Sequence, residues 1–185
     1  LLAAKGVDAF FAARAALPPR YPTWPAPILG PDRFGPASPQ TDFLARLQEQ
    51  ARVAGVSMAG YQPHAQVLQA MSHAAIVVVP SRWAEPFGMA ALEAMGCGAA
   101  VLTSRNGGLP EVAGQAALYA SPDDLPGMVA ALERLMSDAT LRAQLGQAGL
   151  ARARLFDSAV LRPERQIFQT RVVQVWPHVS RLAQG

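Results

Sequence analysis

Residues 76–103 read IVVVPSRWAEPFGMAALEAMGCGAAVLT and contain a strand, a helix and a second strand in that order. Ile76–Val79 is a short β-branched run that Pro80 stops, as is typical of a buried strand. The spacing of apolar residues then predicts a helix over 88–95, and a run of small and apolar residues predicts a strand over 99–103. Two strands joined through a helix form the basic unit of a parallel sheet. The stretch therefore predicts an α/β fold.

The same alternation continues on both sides of this stretch. Upstream, we predict helices over 7–17, 41–54 and 64–73 and strands over 26–29 and 56–59. Downstream, we predict a short helix that Pro110 opens, a strand over 116–120 and helices over 123–136, 138–154 and 163–182. The fold class is an α/β, Rossmann-like open parallel sheet of about five strands with helices on both faces. In such sheets ligands bind beyond the carboxyl ends of the strands, where the loops at 30, 60, 80–88 and 104–109 lie.

Composition limits the class of protein. The 185 residues are 51% apolar and 16% charged, which suits one compact domain with a full core. The net charge of +3 is spread along the chain, so we expect no nucleic-acid partner. A single cysteine, Cys97, cannot form an internal disulfide and favours a reducing compartment. No apolar run approaches the roughly 18 residues of a membrane span, and we expect a cytoplasmic protein. Because the sequence starts at Leu1 without an initiator Met, we also expect a domain excised from a longer protein.

The start of the helix at 88–95 has the features of an anion site. Gly88, Met89 and Ala90 come directly after a strand and its loop, so their amides have no partner within the helix. The positive end of the helix dipole adds to these donors. Phosphate is the anion that such a terminus suits best.

Two carboxylates flank this helix start. Glu93 lies more than one turn into the helix, where its carboxylate could accept two hydrogen bonds from a vicinal diol such as that of ribose. Glu85 precedes Pro86, which holds it extended at the mouth of the cleft. Together with the anion site, the carboxylates indicate a nucleotide diphosphate that carries a polyhydroxyl group.

These residues also resemble a known family. The spacing Glu85-x7-Glu93 encloses Phe87 and Gly88, and residues 107–111 read GGLPE. This pattern closely resembles the donor-binding half of the retaining glycosyltransferases of family four, and Lys5 matches the Lys-Gly start of that half more weakly. In that family the GT-B fold consists of two Rossmann-like domains. The resemblance implies that this chain is the C-terminal one.

The resemblance also implies roles for individual residues. Lys5, the single lysine of the chain, would neutralise the donor diphosphate, and Glu85 would contact the sugar near the reacting carbon, so these two are the candidate catalytic residues. Glu93 would hold the ribose hydroxyls. The other candidate donor-binding residues are Phe87, Gly88, Met89, Ala90, Gly107 and Gly108, with Gly30 and Tyr61 near the base. An Arg usually lies a few residues before the lysine in this family, and the present chain starts too late to contain it.

The implied reaction is transfer of a sugar from a nucleotide-diphosphate sugar to an acceptor hydroxyl, with retention and without a metal or other cofactor. A UDP-sugar is the first candidate donor, and a GDP- or ADP-sugar is the alternative. Polysaccharide, lipopolysaccharide or glycoconjugate synthesis would use such a reaction. The alternative is a nucleotide-binding or structural module that transfers nothing by itself.

The resemblance implies a partner as well. Residues 1–157 would form the donor-binding domain, and 158–185 a helical segment that packs on the N-terminal GT-B domain. The apolar stripe and arginines of this last segment are also compatible with peripheral contact with a membrane or a lipid-linked acceptor at its inner face. Without the N-terminal half, we expect the chain to be inactive as a transferase.

Other residues carry weaker signals. His64, His73 and His178 have no ligand spacing and no partner carboxylate in sequence, so we expect them on helix surfaces or in the core. Cys97, between two glycines, is interpreted as a small packing residue.

Overall fold

The computed structural model describes residues 3–21, 24–30 and 42–156, whose strands form two parallel ladders. The helices are α1 (Val7–Ala15), α2 (Asp42–Val53), α3 (His64–His73), α4 (Met89–Gly96), α5 (Leu109–Ala113), α6 (Leu125–Ser137) and α7 (Ala139–Arg154). The strands are β1 (Pro27–Ile28), β2 (Ser57–Met58), β3 (Ile76–Val79), β4 (Ala100–Thr103) and β5 (Ala117–Tyr119). A 3₁₀ turn, Ala3–Lys5, precedes α1.

Strand β4 is the centre of the larger ladder, which has the order β3-β4-β5. Its side chains alternate between two apolar layers because successive residues of a strand point to opposite faces. Ala100 and Leu102 are buried against α1 and α6, whereas Val101 is buried against α4 and α5. The helices therefore cover both faces of the sheet, as predicted for this fold class.

The smaller ladder consists of β1 and β2, which also run parallel. A third apolar cluster joins it to α1 and α2 through Phe11, Leu47, Ala51 and Val56. We expected one continuous sheet, and within the described residues the hydrogen bonds form ladders of two and three strands. Pro27 has no N–H to donate, which helps to keep β1 short.

Two aspartates begin the last two helices. Asp124 accepts a hydrogen bond from the Gly127 amide (3.0 Å) at the start of α6. Asp138 accepts one from the Leu141 amide (2.8 Å) at the start of α7. Each carboxylate satisfies an amide that has no partner within its helix, so these caps fix where the two helices begin.

The predicted element order agrees with the structure. The bounds predicted for α3 and β3 coincide with the observed ones, and the other predicted helices and strands within the described residues differ from them by up to two residues at either end. The 3₁₀ turn was not predicted. The helix predicted over 163–182 and the segment 158–185 lie outside the described residues, so the proposed domain boundary stays a prediction.

Candidate functional site

Two loops meet at the carboxyl edge of the larger ladder. The β3 loop comprises residues 81–88, and the β4 loop comprises residues 104–108. The Gly108 amide donates to the Glu85 carbonyl (2.6 Å), and Glu85 and Gly107 form a parallel β-bridge. The Ser104 hydroxyl and the Asn106 side-chain amide both donate to the Ser81 carbonyl, at 2.6 and 2.7 Å. The two loops therefore form one hydrogen-bonded unit.

Gly107 lets these loops approach each other. Its φ is +62°, and a Cβ at this position would lie 2.3 Å from the Glu85 carbonyl oxygen and 2.4 Å from the Glu85 nitrogen. Both are backbone atoms that cannot move aside without opening the bridge. Gly107 is thus a backbone contact between the two loops, and a Cβ at Gly108 would lie 2.9 Å from the Pro86 carbonyl oxygen.

The N-terminal 3₁₀ turn docks on the β3 loop. The amides of Arg82 and Trp83 both donate to the Ala4 carbonyl, at 2.8 and 3.0 Å. Gly6 has a φ of +66°, and a Cβ there would lie 1.8 Å from the Pro80 carbonyl oxygen. Only glycine fits at this crossing, so the Lys-Gly pair of the sequence is explained by the close passage of two backbones.

Lys5 and Glu85, the two candidate catalytic residues, are in contact. The Lys5 Nζ lies 2.5 Å from the Glu85 Oε1, and the Ser81 hydroxyl donates to the same oxygen at 2.9 Å. The Glu85 side chain is 13% exposed and that of Lys5 is 48% exposed. Burial alone would raise the pKa of Glu85, but the hydrogen bonds from Lys5 and Ser81 outweigh it and lower the pKa below its usual value. The site therefore holds an ionised carboxylate beside an ammonium group that can reach solvent.

Arg82 ties the Lys5 turn to the rest of the fold. Its guanidinium contacts Asp8 of α1 and Asp123 after β5, both at 2.7 Å, and donates to the Ala3 carbonyl at 3.3 Å. The bond to Asp8, followed by that to Asp123, raises the pKa of Arg82. Neither aspartate is near Arg82 in the chain, so the sequence alone does not indicate these contacts.

Helix α4 begins at the same carboxyl edge of the larger ladder. Gly88 precedes it with a φ of +97°, and a Cβ there would meet the Leu109 side chain at 2.7 Å. The first hydrogen bond of the helix runs from the Ala91 amide to the Gly88 carbonyl (3.0 Å). The amides of Gly88, Met89 and Ala90 therefore have no partner within the helix, and Met89 and Ala90 are exposed.

Phe87 lies directly before Gly88, next to the start of α4. Its ring is 39% exposed and meets Phe156, after α7, edge-on with centroids 5.6 Å apart. The structure thus places Phe87 beside the predicted anion site, with its ring fixed by a contact with the end of the described chain.

Glu93 has a partner that the sequence did not reveal. Its Oε1 lies 2.9 Å from Nε2 of His64, the first residue of α3. The Glu93 side chain is 23% exposed and that of His64 is 69% exposed. The signal that could have found His64 is its place soon after strand β2, on the carboxyl side of that strand.

Gly30 and Tyr61 lie together at the edge of the smaller ladder. The Gly30 amide donates to the Gly60 carbonyl (2.9 Å), which joins the loops that follow β1 and β2. The Tyr61 side chain is 72% exposed, three residues before His64. The described contacts link these loops to Glu93 through His64, whereas the Lys5–Glu85 pair belongs to the larger ladder.

Two features are absent from the described ranges. Within 3–21, 24–30 and 42–156, no group of three or more His, Cys, Asp or Glu side chains is arranged to hold a metal ion. None of the helices in these ranges is long and apolar enough to span a membrane.

Comparison with known proteins adds independent findings. Residues 1–152 match the family described as glycosyl transferases group 1. The O-antigen chain mannosyltransferase B of Escherichia coli is 35% identical over 118 residues, covering 63% of this chain and 31% of that protein. Anabaena HepE, solved in complex with UDP, superposes with a TM-score of 0.77 at 26% identity, covering 94% of this chain and 46% of that one.

A third relative is itself a single domain. The C-terminal domain of a glycosyl transferase group 1 family protein from Francisella tularensis superposes with a TM-score of 0.70 at 26% identity. The superposition covers 83% of this chain and 80% of that domain. By contrast, the matched region amounts to less than half the length of the curated relatives.

Proposed function

This chain belongs to the glycosyl transferases group 1 family, which has the GT-B fold, and we propose that it is the C-terminal, donor-binding domain of a retaining, metal-independent glycosyltransferase. The observation that carries the proposal is the Lys5–Glu85 contact. Residues 80 positions apart in sequence meet at 2.5 Å, beside the start of α4. A cation, a carboxylate and free amides at one edge suit a donor whose diphosphate leaves from a sugar.

The diphosphate would bind between Lys5 and the start of α4. Negative charge grows on the leaving diphosphate as its bond to the anomeric carbon breaks, and fixed donors stabilise that charge best in the transition state. Lys5 supplies a full positive charge, and the amides of Gly88, Met89 and Ala90 supply the helix terminus. Both groups are in place before the ligand binds.

Glu85 would face the sugar. The anomeric carbon gains positive charge during transfer, and a carboxylate nearby stabilises an oxocarbenium-like centre. The lowered pKa of Glu85 keeps this carboxylate ionised at neutral pH. When the donor binds, the Lys5 ammonium group would also contact the phosphates. The Glu85 carboxylate would then accept hydrogen bonds from the sugar hydroxyls.

Glu93 would hold the ribose, and the loops of the smaller ladder would hold the base. The exposed Tyr61 ring and the Gly30 backbone lie at the edge that leads to His64 and Glu93. A UDP-sugar is the first candidate because the HepE structures contain UDP and UDP-glucose. The E. coli relative acts on the O-antigen chain, which supports a polysaccharide or lipopolysaccharide acceptor.

The partner would be an N-terminal GT-B domain that closes over this edge. The side chains of Trp83 and Met89 are 48% and 55% exposed around the start of α4. Apolar side chains at the rim of a site suit a surface that a second domain covers. We further propose that the chain works in the cytoplasm, that a lipid-linked acceptor would bring it to the membrane, and that alone it binds nucleotide without transferring sugar.

Calorimetric titration of the 185-residue chain with UDP, GDP and ADP tests this function. We expect one nucleoside diphosphate to bind most tightly and Glu93→Gln to weaken it by roughly tenfold or more, since each charge-assisted hydrogen bond contributes about 1.5–3 kcal/mol. The exchange Glu49→Gln, on the exposed face of α2, is the matched control and should leave the affinity unchanged. The proposal would be contradicted if none of the three nucleotides bound, or if Glu93→Gln bound the preferred nucleotide as tightly as the control variant does.

A further inference from the structure

We propose that His64 is a positioning residue that holds the Glu93 carboxylate ready for the ribose diol and thereby sets the preference for ribose over deoxyribose. The inference rests on the proposed function, which assigns the diol to Glu93. It goes beyond that function because it gives the site a second residue, on a different helix. The contact between His64 and Glu93 carries it.

The geometry is that of a hydrogen bond between two helices. The Nε2 of His64 lies 2.9 Å from the Glu93 Oε1, and the residues are 29 positions apart in sequence. His64 begins α3, and Glu93 lies in the middle of α4. The imidazole is 69% exposed and the carboxylate is 23% exposed, so solvent reaches both groups. A ligand that enters from solvent meets both groups.

The chemistry leaves room for the diol. A neutral imidazole with its proton on Nε2 donates one hydrogen bond, to Oε1. An ionised carboxylate has about four acceptor positions, so Oε2 and the second lone pair of Oε1 remain for two vicinal hydroxyls. His64 therefore does not compete with the ribose for Glu93.

The advantage of the contact is preorganisation. A free glutamate side chain loses rotamer freedom when it binds a ligand. The bond to His64 removes part of that loss before the ligand arrives and fixes the plane of the carboxylate. A diol donates two hydrogen bonds and so depends more on the orientation of the carboxylate than a single hydroxyl does. A carboxylate held in a fixed plane should therefore prefer ribose to deoxyribose.

Within the described residues, the hydrogen-bond partner of the Glu93 carboxylate is His64. The neighbouring Cys97 thiol points to the Leu68 carbonyl, at 3.5 Å. Burial first, and then the charge of Glu93, raises the pKa of Cys97, so the thiol stays protonated at neutral pH. Its proton is directed to a backbone oxygen, which leaves Glu93 to His64.

The test compares the binding of UDP with that of 2′-deoxy-UDP by calorimetry. We expect the wild-type chain to prefer UDP by about tenfold or more, and His64→Ala to reduce this ratio severalfold. His64→Gln, which keeps a donor, should restore part of it. The control is His73→Ala, at the exposed other end of the same helix, which should keep the wild-type ratio.

The outcomes separate the two proposals. One outcome is that Glu93→Gln loses the preference for UDP over 2′-deoxy-UDP while His64→Ala keeps the wild-type preference. This outcome would overturn the role of His64 and leave the donor site intact. Absence of any ribose preference in the wild type, or of UDP binding, would overturn the assignment of Glu93 and the inference with it.

A measurement on the free protein adds a readout that does not need a ligand. The ¹⁵N signals of the imidazole report which nitrogen carries the proton. We expect the proton of His64 on Nε2 in the wild type and a mixture of tautomers in Glu93→Gln. A proton on Nδ1 in the wild type would contradict the proposed hydrogen bond.

Discussion

Gly107 lies where two loop backbones meet, with no room for a side chain. Gly107→Ala should therefore lower the free energy of unfolding by about 2–4 kcal/mol, through backbone strain and loss of the bridge to Glu85. Gly55→Ala is the matched control, since Gly55 has a nearly equal φ (+64°) but nothing within 4 Å of its Cβ position. It should cost only about 1–2 kcal/mol. Urea unfolding measures both values, and equal losses would refute the role of the close approach.

Glu85 predicts a specific dependence of stability on pH. Its pKa is lowered in the folded state, so its ionised form stabilises the fold above its ordinary pKa of about 4.5, and this contribution disappears as the pH falls through the lower folded value. Urea unfolding at a series of acidic pH values should show the difference between the wild type and Glu85→Gln shrinking in that range. Ser81→Ala, which removes one hydrogen bond to the carboxylate, should lose less stability over this range, because the folded pKa of Glu85 then lies closer to its ordinary value. A difference that is constant with pH would contradict the ion pair.

At the scale of elements, Arg82 connects the Lys5 turn, α1 and the segment after β5. Arg82→Ala should lower the free energy of unfolding by roughly 1–2 kcal/mol, allowing for its partial exposure. It should also weaken binding of UDP more than that of uridine, because the displaced turn carries the cation that meets the diphosphate.

The control for Arg82 is another arginine in an ion pair. Arg52 pairs with Glu49 on the exposed face of α2, and Arg52→Ala should leave both stability and binding unchanged. Unfolding curves and calorimetry of the two variants make the comparison. Equal loss of affinity for UDP and uridine in Arg82→Ala would show that Arg82 does not act through Lys5.

The elements also show what the sequence could predict. The Val-rich run of β3 and the helix α3 have the predicted bounds, because both carry their signal in neighbouring residues. The 3₁₀ turn was missed because the bonds that fix it to the fold run to the β3 loop, about 80 residues away. His64 and Arg82 were missed for the same reason, since their partner carboxylates lie on other elements. Local pattern predicts elements well, whereas contacts between distant loops need the fold.

At the scale of the whole molecule, the two apolar layers pack on opposite faces of β4 and support the loops at the carboxyl edge of the sheet. Ala100, Val101 and Leu102 of β4 belong to the two clusters that cover the faces of the sheet. The β4 loop therefore starts from a rigid support, and the N-terminal turn is fixed to it through the β3 loop. A preorganised edge of this kind supports the proposed mode of binding, in which charge and amides are in place before the donor.

This arrangement predicts binding without a divalent cation. Lys5 and the start of α4 supply the positive charge that a metal would otherwise provide to a diphosphate. The affinity for UDP should be the same with magnesium and with a chelator, as measured by calorimetry in matched buffers. A large loss of affinity on chelation would contradict the proposed role of Lys5.

We propose that a nucleoside diphosphate binds at the edge where the Lys5 turn, the β3 and β4 loops and the start of α4 meet. Titration of the ¹⁵N-labelled chain with UDP, followed through backbone amide signals, tests it most directly. We expect the largest changes at Gly88, Met89 and Ala90, smaller ones at Lys5 and Gly107, and little change along α6. Saturable changes confined to α6 and α7, with the amides at 88–90 unaffected, would contradict it.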